Sequence, residues 1–374
     1  MKKLKSIKKV AIIANSTWNI HNFRLNILSA LEAQGYEVIV IAPVDAYMSY
    51  LNQTARTRHI PLLHLRRKSS NPLHDFLLFA ELVGILKQEK PDLVINYTIK
   101  LNIYGNLAAA ACGIRSVCSV TGLGYTFIHS GLMQHAAILL HRFSFLFTER
   151  VIFENIKDRE LFIEKKVVSA EKSLSIKGCG INLQHFQPIA LPKNNFCTFL
   201  FIARLLYDKG IQEYVNAAIL VKKQFPNTQF QILGEFDNEN PAAITETTLN
   251  DWVTCGAVQY LGYTTDVRNP IAQADCVVLP SYREAIPRVL QEAMAMTRPV
   301  ISTLTAGCEE AVEDGKNGFL VPLKDSSALA EAMLRIIHLS HDERTALGNY
   351  GRQKAENEFD DKVIAQQFLQ AIGV

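Results

Sequence analysis

Much of what this sequence says about its fold lies in the stretch Leu279-Pro280-Ser281-Tyr282-Arg283-Glu284-Ala285-Ile286-Pro287-Arg288-Val289-Leu290-Gln291-Glu292-Ala293-Met294-Ala295. The apolar run 276–279 ends at Pro280, a polar loop follows, and a helical pattern begins near Pro287, a residue suited to a first helical turn. A buried strand, a loop and a helix in that order form one step of a parallel α/β sheet. Glu284 falls in the loop at the strand's carboxyl end and Glu292 in the helix. Two acids thus flank a helix N-terminus, whose free N–H groups and positive dipole end suit a phosphate. The carboxylates suit the hydroxyls of a ribose or sugar. A solvated Glu284 and a surface Glu292 fit the same pattern without any ligand.

Outward from this stretch the same alternation fills the chain. Strand-like runs lie at 9–14, 37–42, 59–65, 92–97, 116–121, 150–153 and 173–176, with helical stretches near 20–33, 73–88, 101–111 and 131–147. A polar, proline-containing stretch around 182–196 interrupts it. The pattern restarts with strands at 198–203, 229–233, 258–261, 276–279, 299–302 and 319–321 and helices near 209–224, 242–253, 287–296, 326–338, 341–355 and 361–371. The 374 residues are long for one core. The reading is α/β: two tandem doubly wound, Rossmann-like parallel-sheet domains facing a cleft. They cover residues 1–185 and 196–355, with a linker at 186–195 and a C-terminal helical segment, 356–374, packing back toward the first domain. Ligands of such sheets sit outside the carboxyl ends of the strands, here in the cleft.

A second element stands at such a strand end. Phe201-Ile202-Ala203-Arg204-Leu205-Leu206-Tyr207-Asp208-Lys209-Gly210 follows the first strand of the second domain. Arg204 offers a bidentate fork for phosphate oxygens and Lys209 a point charge, so together they would neutralise a diphosphate opposite Pro287. A surface pair of Lys209 with Asp208 or Glu213 is the plainer alternative.

Several chemistries are disfavoured. The loop after the first strand, Asn15-Ser16-Thr17-Trp18-Asn19, lacks the dinucleotide-binding glycines, and neither a P-loop nor a G-x-S-x-G elbow occurs. The nearest approach to D-x-D, Asp237-Asn238-Glu239, sits in a Pro/Asn-rich loop and reads as a turn or cap; no metal site is expected. Seven cysteines, odd in number, widely spaced and without C-x-x-C, read as free thiols in a reducing compartment. The 48% apolar and 20% charged composition is globular. The apolar run behind the N-terminal lysines, 10–14, is too short for a signal peptide, and nothing reaches the length of a membrane span.

Taken together, these motifs resemble the family 4 retaining glycosyltransferases of GT-B fold. The family's Glu-x7-Glu pair is matched by Glu284 and Glu292, and its R-x4-K-G by Arg204, Lys209 and Gly210. Gly178-Cys179-Gly180-Ile181-Asn182 with Phe186 resembles its inter-domain turn, Gln259-Tyr260-Leu261-Gly262-Tyr263 its "V-x-F-L-G" strand, and 307–322 its glycine-rich segment near the second acid pair. In the first half, Asn22-Phe23-Arg24, Ser69-Ser70-Asn71-Pro72 and Thr121-Gly122-Leu123-Gly124-Tyr125 are similar to bacterial enzymes that extend polyprenyl-diphosphate-linked sugars.

The resemblance implies roles by position. Arg204 and Lys209 bind the donor diphosphate and, with Glu284, are the catalytic set. Glu284 contacts the transferred sugar and Glu292 the ribose. Backbone groups of Ala285, Ile286, Pro287, Arg288, Val289 and Leu290 touch sugar and phosphate, and Gly234 and Val258 complete the donor side. Ser16, Thr17, Arg24, Thr121, Gly122 and Tyr125 line the acceptor side. Three positions depart from the family: Ala203, Ala285 and Thr297 stand where glycine is common. Positive φ at Ala285 or Thr297 would cost about 1 kcal/mol or more. The histidine many relatives carry in the loop after the fifth strand is absent from 121–125.

Charge is divided unevenly. Residues 1–195 hold 24 Lys and Arg against 13 Asp and Glu, a balance of +11, and 196–374 hold 15 against 23, a balance of −8, which sum to the net +3. Basic clusters at 2–9, 66–68 and 165–166 accompany an apolar stretch at 132–147 that reads either as a membrane-docking helix or as a buried one. No nucleic-acid-binding module accompanies them.

The function expected is transfer of a hexose or N-acetylhexosamine, with retention, from a UDP-linked sugar to a lipid-diphosphate-linked saccharide. It needs neither metal nor cofactor and takes place at the cytoplasmic face of the inner membrane, in bacterial surface glycan or glycoprotein glycan assembly. A UDP-sugar epimerase of the same fold and an inactive sugar-nucleotide-binding subunit are the alternatives.

Overall fold

A computed structural model describes residues 7–66, 71–123 and 132–374. Tyr125, Gly124, Arg67, Lys68, Ser69, Ser70 and the lysines at 2, 3 and 5 lie outside the described residues. The chain forms two compact units: Met1–Gly180 with Asp361–Val374, and Ile181–Asp360.

The first unit is built on strands β1 (Lys9–Ile13), β2 (Glu37–Ala42), β3 (Thr57–Pro61), β4 (Leu93–Tyr97), β5 (Arg115–Val120), β6 (Arg150–Phe153) and β7 (Ser173–Ser175). They pair in the order β3-β2-β1-β4-β5-β6-β7, all parallel. Because side chains alternate, each strand feeds two layers. Val10, Ile12, Val38, Val40 and Ile95 face one core with the helices Leu25–Ala33 and Asp361–Ile372, whereas Ala11, Ile13, Ile39, Ile41 and Val94 face the other with the helices Pro72–Glu89 and Ile99–Ala111. A sheet covered on both faces is why these strands read as unbroken apolar runs.

The second unit repeats the plan with β8 (Thr198–Ile202), β9 (Gln229–Leu233), β10 (Gln259–Tyr260), β11 (Cys276–Leu279), β12 (Val300–Thr303) and β13 (Gly318–Val321), in the parallel order β10-β9-β8-β11-β12-β13. Strand order reverses between β1 and β4 in one sheet and between β8 and β11 in the other; such switch points open a crevice at the strands' carboxyl ends.

The helical stretch near 20–33 is two helices, Thr17–Phe23 and Leu25–Ala33, separated at Arg24. The short helices Ile156–Glu164, Arg268–Gln273 and Ala306–Ala311 were not expected, since six to nine residues carry too little periodicity to be seen.

The expected boundaries also shift. Residues 186–195 are not a free linker. Phe186 and Leu191 are buried in the second unit, and Arg352 Nη1 donates to the Phe186 carbonyl at 2.9 Å. Residues 356–358 finish the helix His341–Glu358 of the second unit, and only from Asp361 does the chain belong to the first. With these bounds the first unit holds 24 Lys and Arg against 14 Asp and Glu and the second 15 against 22, balances of +10 and −7.

Arg298 does much of the fastening. Its side chain is fully buried and donates to the carbonyls of Ile189 at 2.7 Å, Ala190 at 3.1 Å, Ile271 at 2.9 Å and Ala272 at 2.8 Å. Burial pushes its guanidinium down to about 10, still charged at neutral pH. Arg298→Leu takes a donor from all four carbonyls, though Ile189 keeps Thr297 Oγ1 and Ile271 keeps Ala274 N, and unmet buried acceptors cost about 1–3 kcal/mol each before relaxation. A loss of at least about 3 kcal/mol is therefore expected in urea unfolding of the full chain; a change below about 1 kcal/mol would show that the segment docks without Arg298.

Candidate functional site

The site of the second unit is assembled at the β8/β11 switch point. Gly210, in the left-handed region (φ 74), lies so close to Pro280 that a Cβ on it would come within 2.0 Å of the Pro280 carbonyl oxygen. Tyr282 N donates to the Asp208 carbonyl at 2.9 Å, and Ser281 Oγ to the same oxygen at 3.2 Å. The loops after β8 and β11 are thereby fixed to each other, and Lys209 Nζ donates to Glu284 Oε1 in an ion pair. Two residues 75 positions apart thus meet as the sequence motif requires, and the Asp208 and Glu213 pairings do not form the contact: Glu213 instead accepts from Tyr282 Oη at 2.8 Å.

Arg204, on the same loop, points its Nη1 at Asp237 Oδ2, 2.7 Å away on the loop after β9. Asp237 was read from the sequence as a turn residue, because its partner is 33 positions distant and no local pattern links them. The helix Arg288–Ala295 starts after Pro287 (φ −65, ψ 120), which is the cap itself and offers no capping side chain. Its first N–H groups therefore have no side-chain acceptor from the cap position.

Glu292 accepts from Arg288 Nε at 2.9 Å, one helical turn away. Burial pushes the Glu292 carboxyl up from its ordinary value, and Arg288 draws it part of the way back. A carboxyl raised on folding adds stability that is present at acid pH and lost as pH rises through its folded value, so at neutral pH it weakens the fold. Asp266, held down to about 2 by its Arg268 hydrogen bonds, stands near enough to Glu292 to add to its rise. Sequence reading missed both Asp266 and Arg268.

The other donor-side residues divide by role. Ile286 and Leu290 are buried in the unit's core and Val289 packs against it, which leaves their backbones for any ligand. Val258 is likewise buried in the core, just before β10, with only its backbone left for a ligand. Gly234 uses its N–H on the Gly262 carbonyl and its own carbonyl on Tyr260 Oη. Ala285 is not among the described residues with positive φ, but Thr297 is, at φ 60, and its Oγ1 donates to the Ile189 carbonyl at 2.8 Å.

In the first unit the structure departs from the expected acceptor side. Ser16 and Thr17 are buried: Ser16 Oγ accepts from Asn19 N at 3.1 Å as a helix cap, and Thr17 Oγ1 donates to Asp45. Arg24 is buried too, its Nη2 donating to Glu154 at 3.1 Å while its guanidinium lies 4.1 Å from the Tyr97 ring centre. These side chains hold the loops in place, and Arg24 with Glu154 also lines a small cavity. Thr121 and Gly122 lie just past β5, Gly122 with φ 101. The switch point itself holds a residue the sequence did not reveal. Thr98, directly after β4, has φ 75 and ψ 159, a region almost reserved for glycine and costing of order 1–3 kcal/mol.

Comparison with known proteins agrees with this geometry. Residues 197–338 match the glycosyl transferases group 1 family and residues 9–155 the glycosyl transferase 4-like family. The N,N'-diacetylbacillosaminyl-diphospho-undecaprenol alpha-1,3-N-acetylgalactosaminyltransferase of Campylobacter jejuni is 30% identical over 96% of this chain and 97% of its own. The UDP-Gal:alpha-D-GlcNAc-diphosphoundecaprenol alpha-1,3-galactosyltransferase of Escherichia coli is 26% identical over 77% of this chain and 76% of its own. Among solved structures, sucrose-phosphate synthase from Thermosynechococcus elongatus superimposes with a TM-score of 0.79 at 20% identity, covering 97% of this chain and 98% of its own. Anabaena HepE, solved with UDP and glucose, gives 0.79 at 20% identity, covering 98% of this chain and 100% of its own. Two tandem doubly wound units with a basic and acidic cluster at the second switch point define a GT-B glycosyltransferase. The chain belongs to the family 4, group 1 glycosyltransferases.

The Arg288–Glu292 pair makes a titration prediction. Glu292 should ionise above about 4.3, the ordinary glutamate value, and removing Arg288 removes the group that draws it down. The Glu292 carboxyl, followed by carboxyl-carbon NMR, is expected to titrate at higher pH in Arg288→Ala; a titration that stays in place would show that Arg288 does not hold it down.

Proposed function

We propose that this glycosyltransferase moves a hexose or N-acetylhexosamine, with retention of anomeric configuration, from a UDP-linked sugar to a lipid-diphosphate-linked saccharide in the assembly of a bacterial glycan. The observation that carries the reading is the Lys209–Glu284 pair at the β8/β11 switch point, with Arg204 on the same loop. Support for the acceptor comes from the Campylobacter and Escherichia coli relatives, whose names specify diphospho-undecaprenol-linked acceptors.

The chemistry follows from where charge moves. As the bond from sugar to diphosphate breaks, negative charge gathers on the leaving phosphate. Lys209 and the helix start at Arg288 are cationic or dipolar groups already in position, and Arg204 joins them by exchanging Asp237 for phosphate, so together they stabilise that charge. These groups supply the neutralisation for which other enzymes use a metal. Glu284 beside Lys209 faces the transferred sugar, and Glu292 receives the ribose hydroxyls. Retention is expected by attack on the face the phosphate leaves, with that phosphate accepting the proton of the attacking hydroxyl.

The first unit supplies a surface for a membrane-held acceptor. In the segment Leu132–Ser144 and the residues after it, His141, Ser144 and Phe145 face inward, whereas Leu139, Phe143 and Leu146 are 60%, 55% and 65% exposed. The helix is thus amphipathic in the reverse sense, apolar toward solvent, and the wholly buried reading does not describe it. Lys172 donates to the Leu146 carbonyl and Arg142 to the Lys165 carbonyl, placing basic residues beside the apolar face. Apolar side chains ringed by cations suit an anionic bilayer, each cation adding about 1 kcal/mol. Among the described residues no helix is long and apolar enough to cross a membrane. The protein would then work peripherally, at the cytoplasmic face where nucleotide sugars are found.

A transfer assay with a panel of UDP-sugars on membrane extracts tests the reaction: turnover should require a lipid-linked acceptor. UDP-sugar binding without turnover on any acceptor, or release of a new UDP-sugar with no acceptor, would overturn it. Arg204→Ala and Glu284→Ala should each lower turnover by about 100-fold or more, the scale of one lost preorganised stabiliser. For the surface, Leu139→Glu with Phe143→Glu should abolish sedimentation with phosphatidylglycerol vesicles, and unchanged sedimentation would remove the membrane reading.

A further inference from the structure

The three cationic side chains around the donor site are not equally committed. Lys209 is paired with Glu284 and Arg288 with Glu292, acids that the family pattern itself places at the sugar and the ribose. Arg204 is paired with Asp237, an acid that belongs to neither glutamate motif. The pair is built rather than accidental. The loop carrying Asp237 is held against the loop carrying Arg204: Leu205 N donates to the Glu235 carbonyl at 3.0 Å, and a Cβ on Gly234 would come within 1.8 Å of the Ala203 carbonyl oxygen. Those contacts, one residue to either side of Arg204, fix where the Asp237 carboxylate stands. The Arg204 side chain is 48% exposed and that of Asp237 20%, so the pair lies at the surface of the site.

Asp237 Oδ2 takes the Nη1 of Arg204, so a phosphate bound through both arms of the guanidinium fork must displace it. An exposed ion pair of this kind is worth little, in the range of about 0.2–1 kcal/mol, which converts to about a 1.4- to 5-fold competitor. A diphosphate, with more charge and more acceptor oxygens, displaces it. When the nucleoside diphosphate remains after transfer, the carboxylate is beside it and ready to recapture the cation. Retaining an acid next to a phosphate-binding arginine weakens ground-state binding, and it weakens the product complex in the same way.

We propose that Asp237 is a displaceable counter-ion of Arg204, a positioning residue that limits the affinity for the nucleoside diphosphate and thereby hastens its departure. This rests on the donor reading given above. The exchange makes and breaks only ion pairs, with no covalent step.

Titration of the full-length protein with UDP by calorimetry, together with UDP product inhibition of turnover, tests it. Asp237→Asn keeps the shape and removes the charge, and it should bind UDP about two- to fivefold more tightly and be inhibited by it correspondingly more strongly. Asp237→Glu should behave like the wild type. In an Arg204→Ala background, Asp237→Asn should produce no gain, because the acid acts through that guanidinium. Equal or weaker UDP binding in Asp237→Asn, or a gain that persists without Arg204, overturns the proposal while leaving the donor reading intact. Failure of the wild type to bind UDP overturns the donor reading itself.

Discussion

The approach of the β8 loop to the β11 loop is the constraint on which the charged site of the second unit depends. Gly210 can sit against the Pro280 carbonyl only because it has no Cβ, and the main-chain bond from Tyr282 to Asp208 holds the two loops in register. Parallel pairing of β8 with β11 creates this neighbourhood, since strands adjacent in the sheet need not be adjacent in the chain. A residue larger than glycine at 210 would push the loops apart and separate Lys209 from Glu284. A small backbone requirement thus governs where the charge of the site stands.

Around that contact the second unit stores unfavourable free energy. Glu292 is raised by burial and held by one arginine, and Thr297 keeps a left-handed backbone. A β-branched residue in that region costs about 1–2 kcal/mol, and its two hydrogen bonds, to the Ile189 and Met296 carbonyls, offset part of this. The strain is tolerated because the surrounding strands, with Val277, Val278, Val300 and Ile301 all fully buried, over-determine the loop positions.

The first unit uses its polar groups differently. Ser16 caps one helix, Thr17 donates to Asp45 and Arg24 bridges to Glu154, while Leu139, Phe143 and Leu146 stand exposed. The asymmetry of charge between the two units, +10 against −7, follows the same division. One unit carries an excess of basic residues, and the other embeds a few cations among acids that keep them in place.

The sequence by itself determined the two α/β sheets, the strand positions to within about two residues for most elements, and the four charged residues of the donor motif. Those features are written in local pattern: continuous apolar runs mark strands covered on both faces, and a carboxylate after such a run must stand at the sheet's carboxyl edge. What only the tertiary structure decided is everything that depends on partners distant in the chain. The pairing of Arg204 with Asp237, the burial of Ser16, Thr17 and Arg24, and the capture of 186–195 by Arg298 join residues separated by tens to more than a hundred positions. The outward-facing helix at 132–147 was undecidable for a related reason: apolar residues all round a helix look the same whether a bilayer or a core is meant to cover them.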